Sequence, residues 1–181
     1  MLPETIGIFG INYKVEVLHD AGNDDVATWS TREAHIQIRK GPCEENKLID
    51  VWIHAVCDTC SIKVTKEITG VLAGNLIAKG FSLLPEKLPK YSEDFPKEVS
   101  IQGTVIPIIV SSSPKVSSVM GEWDMCLGRI WISDKCSLEQ KESTLVHEFV
   151  HACLGLSNIA HSETFVAFFA NVLYEKGFRV R

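Results

Sequence analysis

Residues 143–155 read Ser-Thr-Leu-Val-His-Glu-Phe-Val-His-Ala-Cys-Leu-Gly, or STLVHEFVHACLG. His147 and His151 stand four residues apart, so on an α-helix they share a face, one turn apart, and both imidazoles reach a single ion. Glu148 is rotated by about 100° from His147 around the helix axis, which makes it a poor third ligand for the same ion. It is instead placed beside a water that the ion would polarise, where a carboxylate takes a proton. That is the physical content of the HExxH pattern: two zinc ligands and a general base from one helical turn. The competing reading of the same residues is a buried helix with two satisfied core histidines.

The pattern needs a helix, and its surroundings predict one. Ser137 followed by Gln140 reads as a capping box. Leu145, Val146, Phe149, Val150 and Cys153 form an apolar stripe at helical spacing, and Gly155 is the expected left-handed terminator. A second helix should follow, capped by Ser162, with Phe165, Phe168, Phe169, Val172 and Leu173 on one face and Gly177 at its end. Glu163 would open that helix, a rigid place for a third ligand, and His161 lies in the loop just before it. The pattern HExxHxxGxxH is not met: the glycine comes one residue late and the histidine four. Glu163 is therefore the expected third ligand, with His161 as the alternative.

The 181 residues suffice for one ordinary domain or two small ones, and 45% apolar with 23% charged residues predicts packed cores. A formal net charge of −5, with scattered basic residues, argues against a nucleic-acid partner. MLPETIGIFG lacks a positive n-region and a long apolar run, and no stretch approaches membrane-spanning length. The expectation is a cytoplasmic protein with no membrane partner. Cys43, Cys57, Cys60, Cys126, Cys136 and Cys153 then read as reduced thiols. Cys57-Asp58-Thr59-Cys60 has no second ligand pair at zinc spacing and no thioredoxin-like surroundings, so it reads as two thiols near a helix end.

The chain repeats itself. Residues 4–17 alternate around Gly10, and 97–110 alternate around Gly103, each as a strand–turn–strand. The strand HIQI at 35–38 parallels RIWI at 129–132, and Cys43 falls near the place of Cys136. His54-Ala55 aligns with His151-Ala152, and Lys79-Gly80-Phe81 with Lys176-Gly177-Phe178. Leu48, Ile49, Trp52 and Ile53 take the places of Leu145, Val146, Phe149 and Val150. Ile68, Val71, Leu72 and Leu76 take those of Phe165, Phe168, Phe169 and Leu173. The predicted organisation is a tandem duplication of a strands-then-two-helices unit: 1–81, a linker at 82–97 marked by Pro85, Pro89 and Pro96, and 98–181. In the first copy, Asp50, Val51, Val64 and Lys66 stand where the second has His147, Glu148, His161 and Glu163, so only His54 remains and no metal is expected there.

Residues 119–133 read as a hairpin turning near Gly128, and this hairpin is the candidate sheet edge for an added peptide strand. Trp123 and Trp131 are candidates to line a cleft there, and Tyr174 and Arg129 to stabilise an oxyanion.

The second copy resembles the small phage-type HExxH zinc-peptidase-like proteins. The residues that carry the likeness are Ile101-Gln102-Gly103, Gly121-Glu122, Thr144-Leu145-Val146-His147-Glu148 through His151-Ala152, and Glu163 through Tyr174. The resemblance spans roughly 99–178, and more faintly 4–81. It implies an α+β fold of minimal zincin units, each a short antiparallel sheet followed by two helices. It also implies Zn2+ held by His147, His151 and Glu163, with Glu148 as general base. The expected function is a zinc metallopeptidase acting on a peptide or protein. The rival from another class is an inactive zincin-fold binding or sequestering protein with a structural zinc.

Overall fold

Period-two alternation sets the strands. In the computed structural model, which describes residues 2–19, 27–40, 44–83, 94–112 and 119–181, the chain divides into two compact units, Met1–Lys87 and Leu88–Arg181. In the first unit β1 (Thr5–Ile8) and β2 (Ile11–Leu18) form a hairpin, followed by β3 (Ala27–Ser30), β4 (His35–Arg39), α1 (Glu44–Thr59) and α2 (Lys66–Ala78). The second unit repeats the order with β5 (Glu98–Ile101), β6 (Thr104–Ser111), β7 (Gly121–Asp124), β8 (Arg129–Ser133), α3 (Leu138–Leu156) and α4 (Glu163–Glu175).

Each unit is α+β, a four-stranded sheet followed by two helices, as the repeat predicts. The spatial orders are β1-β2-β4-β3 and β5-β6-β8-β7. The sheets are mixed rather than wholly antiparallel: two antiparallel pairs meet along a parallel centre, β2 with β4 and β6 with β8. Register is conserved between the units. Val15 faces Ile36 as Ile108 faces Ile130, and Ala27 faces Ile38 as Gly121 faces Ile132.

The turns match residue for residue. Phe9 and Gly10 take positive φ in the first hairpin, and Gln102 and Gly103 do so in the second. That is the geometry of a two-residue turn whose twist suits the flanking strands. Ala34, Ser61 and Gly80 adopt positive φ at the places of Gly128, Asn158 and Gly177. Cys43, Pro85 and Pro89 fall outside the described residues, so the Cys43 correspondence and most of the 82–97 linker do too. Asp94, Phe95 and Pro96 line a cavity of about 200 Å³ with Glu142, Leu145 and Arg179 of the second unit.

Inward side chains supply the cores. Ile6, Ile8, Tyr13, Ile36 and Ile38 are buried in the first sheet, and Val99, Ile101, Ile106, Ile108, Ile130 and Ile132 in the second. α1 buries Leu48, Ile49, Trp52 and Ile53, and α3 buries Leu145, Val146, Phe149 and Val150. Each such side chain contributes about 1.5–3 kcal/mol when fully buried, so the stripes hold these helices to their sheets. Among the described residues no helix is long and apolar enough to cross a membrane. The five described cysteines are all free thiols, with Cys57 buried and Cys60 exposed at the end of α1.

Candidate metal centre

The predicted capping box is present: Ser137 Oγ accepts from Gln140 N at 3.2 Å and Gln140 Oε1 accepts from Ser137 N at 2.8 Å. α3 runs past Gly155 to Leu156, and the left-handed residue is Asn158, φ +54°. Gly155 therefore does not end the helix. A Cβ there would lie 2.9 Å from Trp123 Nε1, so the glycine makes room for the indole against the helix backbone. Ser162 caps α4, accepting from Phe165 N at 3.2 Å, and sets Glu163 at the first helical position.

Three side chains converge. His147 Nε2 lies 2.9 Å from Glu163 Oε1, His151 Nε2 lies 3.0 Å from Glu163 Oε2, and the two Nε2 atoms are 3.1 Å apart. One ligand atom from each lies within 4.8 Å of the others. Donors at the corners of a tetrahedron with bonds of ~2.0–2.1 Å stand about 3.3 Å apart. Two imidazole nitrogens and one carboxylate at this spacing make a group that could hold a metal ion. Glu163 is 69% exposed, so the cluster opens to solvent on that side. Burial, and next the neighbouring His147, lower the pKa of His151, with Glu163 opposing.

His161, the alternative third ligand, is brought to the cluster from another direction. Its Nε2 lies 2.9 Å from His151 Nδ1, the ring nitrogen on the far side from Glu163, and its Nδ1 lies 2.8 Å from the Ile159 carbonyl oxygen.

Glu148 is only 6% exposed. Burial pushes its carboxyl up to about 7; the Trp123 backbone N–H donates to it and opposes the shift, and Glu163 and Glu122 add to it. The partner strand is an edge. Ser133 N donates to Met120 O at 2.8 Å, and the alternation of an antiparallel ladder then turns the backbone groups of Gly121 and Trp123 outward. Glu148 thus occupies one N–H of the open edge. Gly121 is where strand and helix approach closest: a Cβ there would collide with Thr144 Cγ2 and stand 3.2 Å from Glu148.

A cleft of about 340 Å³ joins these groups, lined by His147, Glu148 and Glu163 at one end and by Ala167, Ala170 and Tyr174 along α4. Tyr174 lies three turns beyond Glu163, and its hydroxyl is 3.5 Å from the Glu139 carbonyl oxygen, to which it donates. Arg129 stays on the β7–β8 hairpin, 3.8 Å from Asp124. Trp131 is not in the cleft either; its Nε1 donates to Ser111 Oγ at 3.0 Å. Trp123 contributes its backbone, with its ring against Gly155. The base's hydrogen bond to an edge strand and the role of Gly155 are absent from the sequence reading, because both depend on which residues the register brings together.

In the first unit the equivalent positions do not converge on an ion site. His54 Nε2 is 2.9 Å from Thr69 Oγ1, and Trp29 stacks on the imidazole at 4.9 Å. No family model, curated protein or solved structure matches the chain.

Proposed function

We propose that the second unit is a zinc-dependent peptidase. The observation that carries this reading is the convergence of His147, His151 and Glu163 beside a buried carboxylate, Glu148, on a cleft open to a sheet edge. His147 Nε2, His151 Nε2 and Glu163 would hold the zinc, which would supply a Lewis acid and lower the pKa of a bound water toward neutrality.

The remaining work belongs to the chain's own groups. Glu148 accepts the proton of the attacking water on a carboxylate oxygen and returns it to the leaving amine nitrogen. The Trp123 N–H fixes the carboxylate, so the base need not be oriented at the moment of reaction. With the Trp123 N–H taken by Glu148, the outward N–H and C=O of Gly121 and the C=O of Trp123 offer an extended peptide a strand to pair with. The small Ala167 and Ala170 leave space for a side chain beside the cluster. The likeness to small phage-type HExxH zinc-peptidase-like proteins supports the same reading.

The test is metal analysis of the purified chain followed by digestion of a mixed peptide library with wild type and Glu148→Gln. Zinc-dependent cleavage lost in the variant, with zinc retained, is the expected result. Zinc retained with no cleavage by wild type would favour a binding protein instead.

A further inference from the structure

We propose that His161 is a positioning residue for the metal centre, fixing the tautomer and ring orientation of His151 through a two-step hydrogen-bond relay that starts at the Ile159 carbonyl. This rests on reading His147, His151 and Glu163 as metal ligands.

The Ile159 oxygen only accepts, so His161 Nδ1, 2.8 Å away, carries a proton and donates it. A neutral imidazole protonated at Nδ1 presents a lone pair at Nε2. That lone pair lies 2.9 Å from His151 Nδ1, which must therefore be the donor. His151 Nε2 is left with its own lone pair, and this is the atom that faces Glu163 and His147. One backbone carbonyl thus decides which nitrogen of a ligand is free to bind an ion. Ligating histidines commonly donate their second nitrogen in this way, and losing the partner costs about 10–100-fold in metal affinity.

The loop that holds His161 is anchored on both sides. Asn158 takes φ +54°, Ile159 N donates to Leu154 O at 2.9 Å, and Ser162 caps α4. The first unit builds the same loop: Ser61 takes φ +57°, Ile62 N donates to Cys57 O at 2.8 Å, and Thr65 caps α2. There the residue at the place of His161 is Val64. The loop conformation therefore does not need a histidine. The histidine is found in the unit with the converging ligands, and is missing from the unit where His54 Nε2 is bonded by Thr69 instead.

The experiment measures zinc affinity of the full chain by competition with a chromophoric chelator, for wild type, His161→Ala, His161→Val, His161→Gln and Glu163→Ala. Long-range 15N–1H correlation of the imidazoles is recorded on metal-free and zinc-loaded protein. His161→Ala and His161→Val should each lose about 10–100-fold in affinity with stoichiometry unchanged, and His161→Gln, whose Oε1 can accept near the Nε2 position, should recover most of it. Val is the residue the first unit carries in the same loop, so it guards against misfolding. Wild-type His151 should carry its proton on Nδ1 in the zinc-loaded protein. Affinity within about twofold of wild type in the Ala and Val variants, below the range for a lost outer partner, would overturn the proposal. So would a loss equal to that of Glu163→Ala, or a His151 proton on Nε2 in the zinc-loaded protein. Peptide hydrolysis is not read, so its absence would count against the peptidase reading alone.

Discussion

The two units share element order, strand register and five positions of left-handed backbone, yet treat the same histidine in opposite ways. His54 is 8% exposed, stacked under Trp29 and bonded at Nε2 by Thr69. His151 has the corresponding nitrogen directed at Glu163 and the other one held by His161. The flanking residues complete the contrast: Asp50, Val51 and Lys66 against His147, Glu148 and Glu163. Since the apolar stripes persist in both units, the fold should not depend on an ion, and ligand-type residues can be present or absent on the same frame.

Removing ligands should break the comparison most. Glu163→Ala or His147→Ala should strip zinc from the chain by more than the roughly 10–100-fold expected for an outer partner, while Lys66→Ala and Asp50→Ala leave the metal content at one per chain. Plasma emission metal analysis after dialysis checks both, and circular dichroism should show the metal-free chain still folded.

Glu148→Gln comes next. Gln keeps the shape but cannot take a proton at neutral pH, so peptide hydrolysis should fall about 10²–10⁴-fold with zinc retained. Wild-type turnover in that variant would remove Glu148 from the chemistry.

The comparison can also be sharpened by reversal. Asp50→His with Lys66→Glu restores ligand types in the first unit, and Thr69→Val frees His54 Nε2, with Val166 standing at that place in the second. Zinc should rise from one to two per chain. A chain that stays at one would show that matching backbones do not suffice to place the ligands.

A smaller effect is expected at the closest approach of strand to helix. Gly121→Ala adds a Cβ against Thr144 and Glu148 and should cost about 1–3 kcal/mol in chemical unfolding, as overpacking does. Ala27, the matching residue of the first unit, already carries that Cβ, with Lys47 and Val51 at the places of Thr144 and Glu148. Ala27→Gly should cost only the ~0.5–1 kcal/mol of added backbone freedom.

The smallest effect concerns pH. Burial lowers the pKa of His54, Asp50 opposing and Lys66 reinforcing. A base whose folded pKa is depressed binds more protons when unfolded, so its contribution is present above the unfolded value of 6.5 and is lost as pH falls below it. Amide exchange in α1 should therefore accelerate, relative to its intrinsic rate, between pH 7 and pH 5.5, and His54→Gln should reduce that change.

Much of this was legible in the chain. The capping box of α3, the Ser162 cap, the hairpin turns at Gly10 and Gly103 and the tandem repeat all rest on local residue patterns, which survive without tertiary context. β3 was not read because four residues, Ala-Thr-Trp-Ser, carry too short an alternation; the match of Trp29 to Trp123 was the available signal. Gly155 was misread as a terminator because a glycine near a helix end looks alike whether it stops the helix or admits a neighbour. His161 could be placed near the site but not on a particular ring nitrogen, since that depends on how the 157–162 loop folds back.

The lengths of the outer strands carry one more consequence. β1, β3, β5 and β7 lie at the edges of their sheets, and each is four residues long, while the inner strands have eight or five. Four residues span about 13 Å, too little to template extended pairing between molecules. β7 also carries Glu122 and Asp124, whose charges repel a second copy of the same edge. Such a protein should resist aggregation through its exposed backbone while leaving a brief, reversible seat for one passing chain.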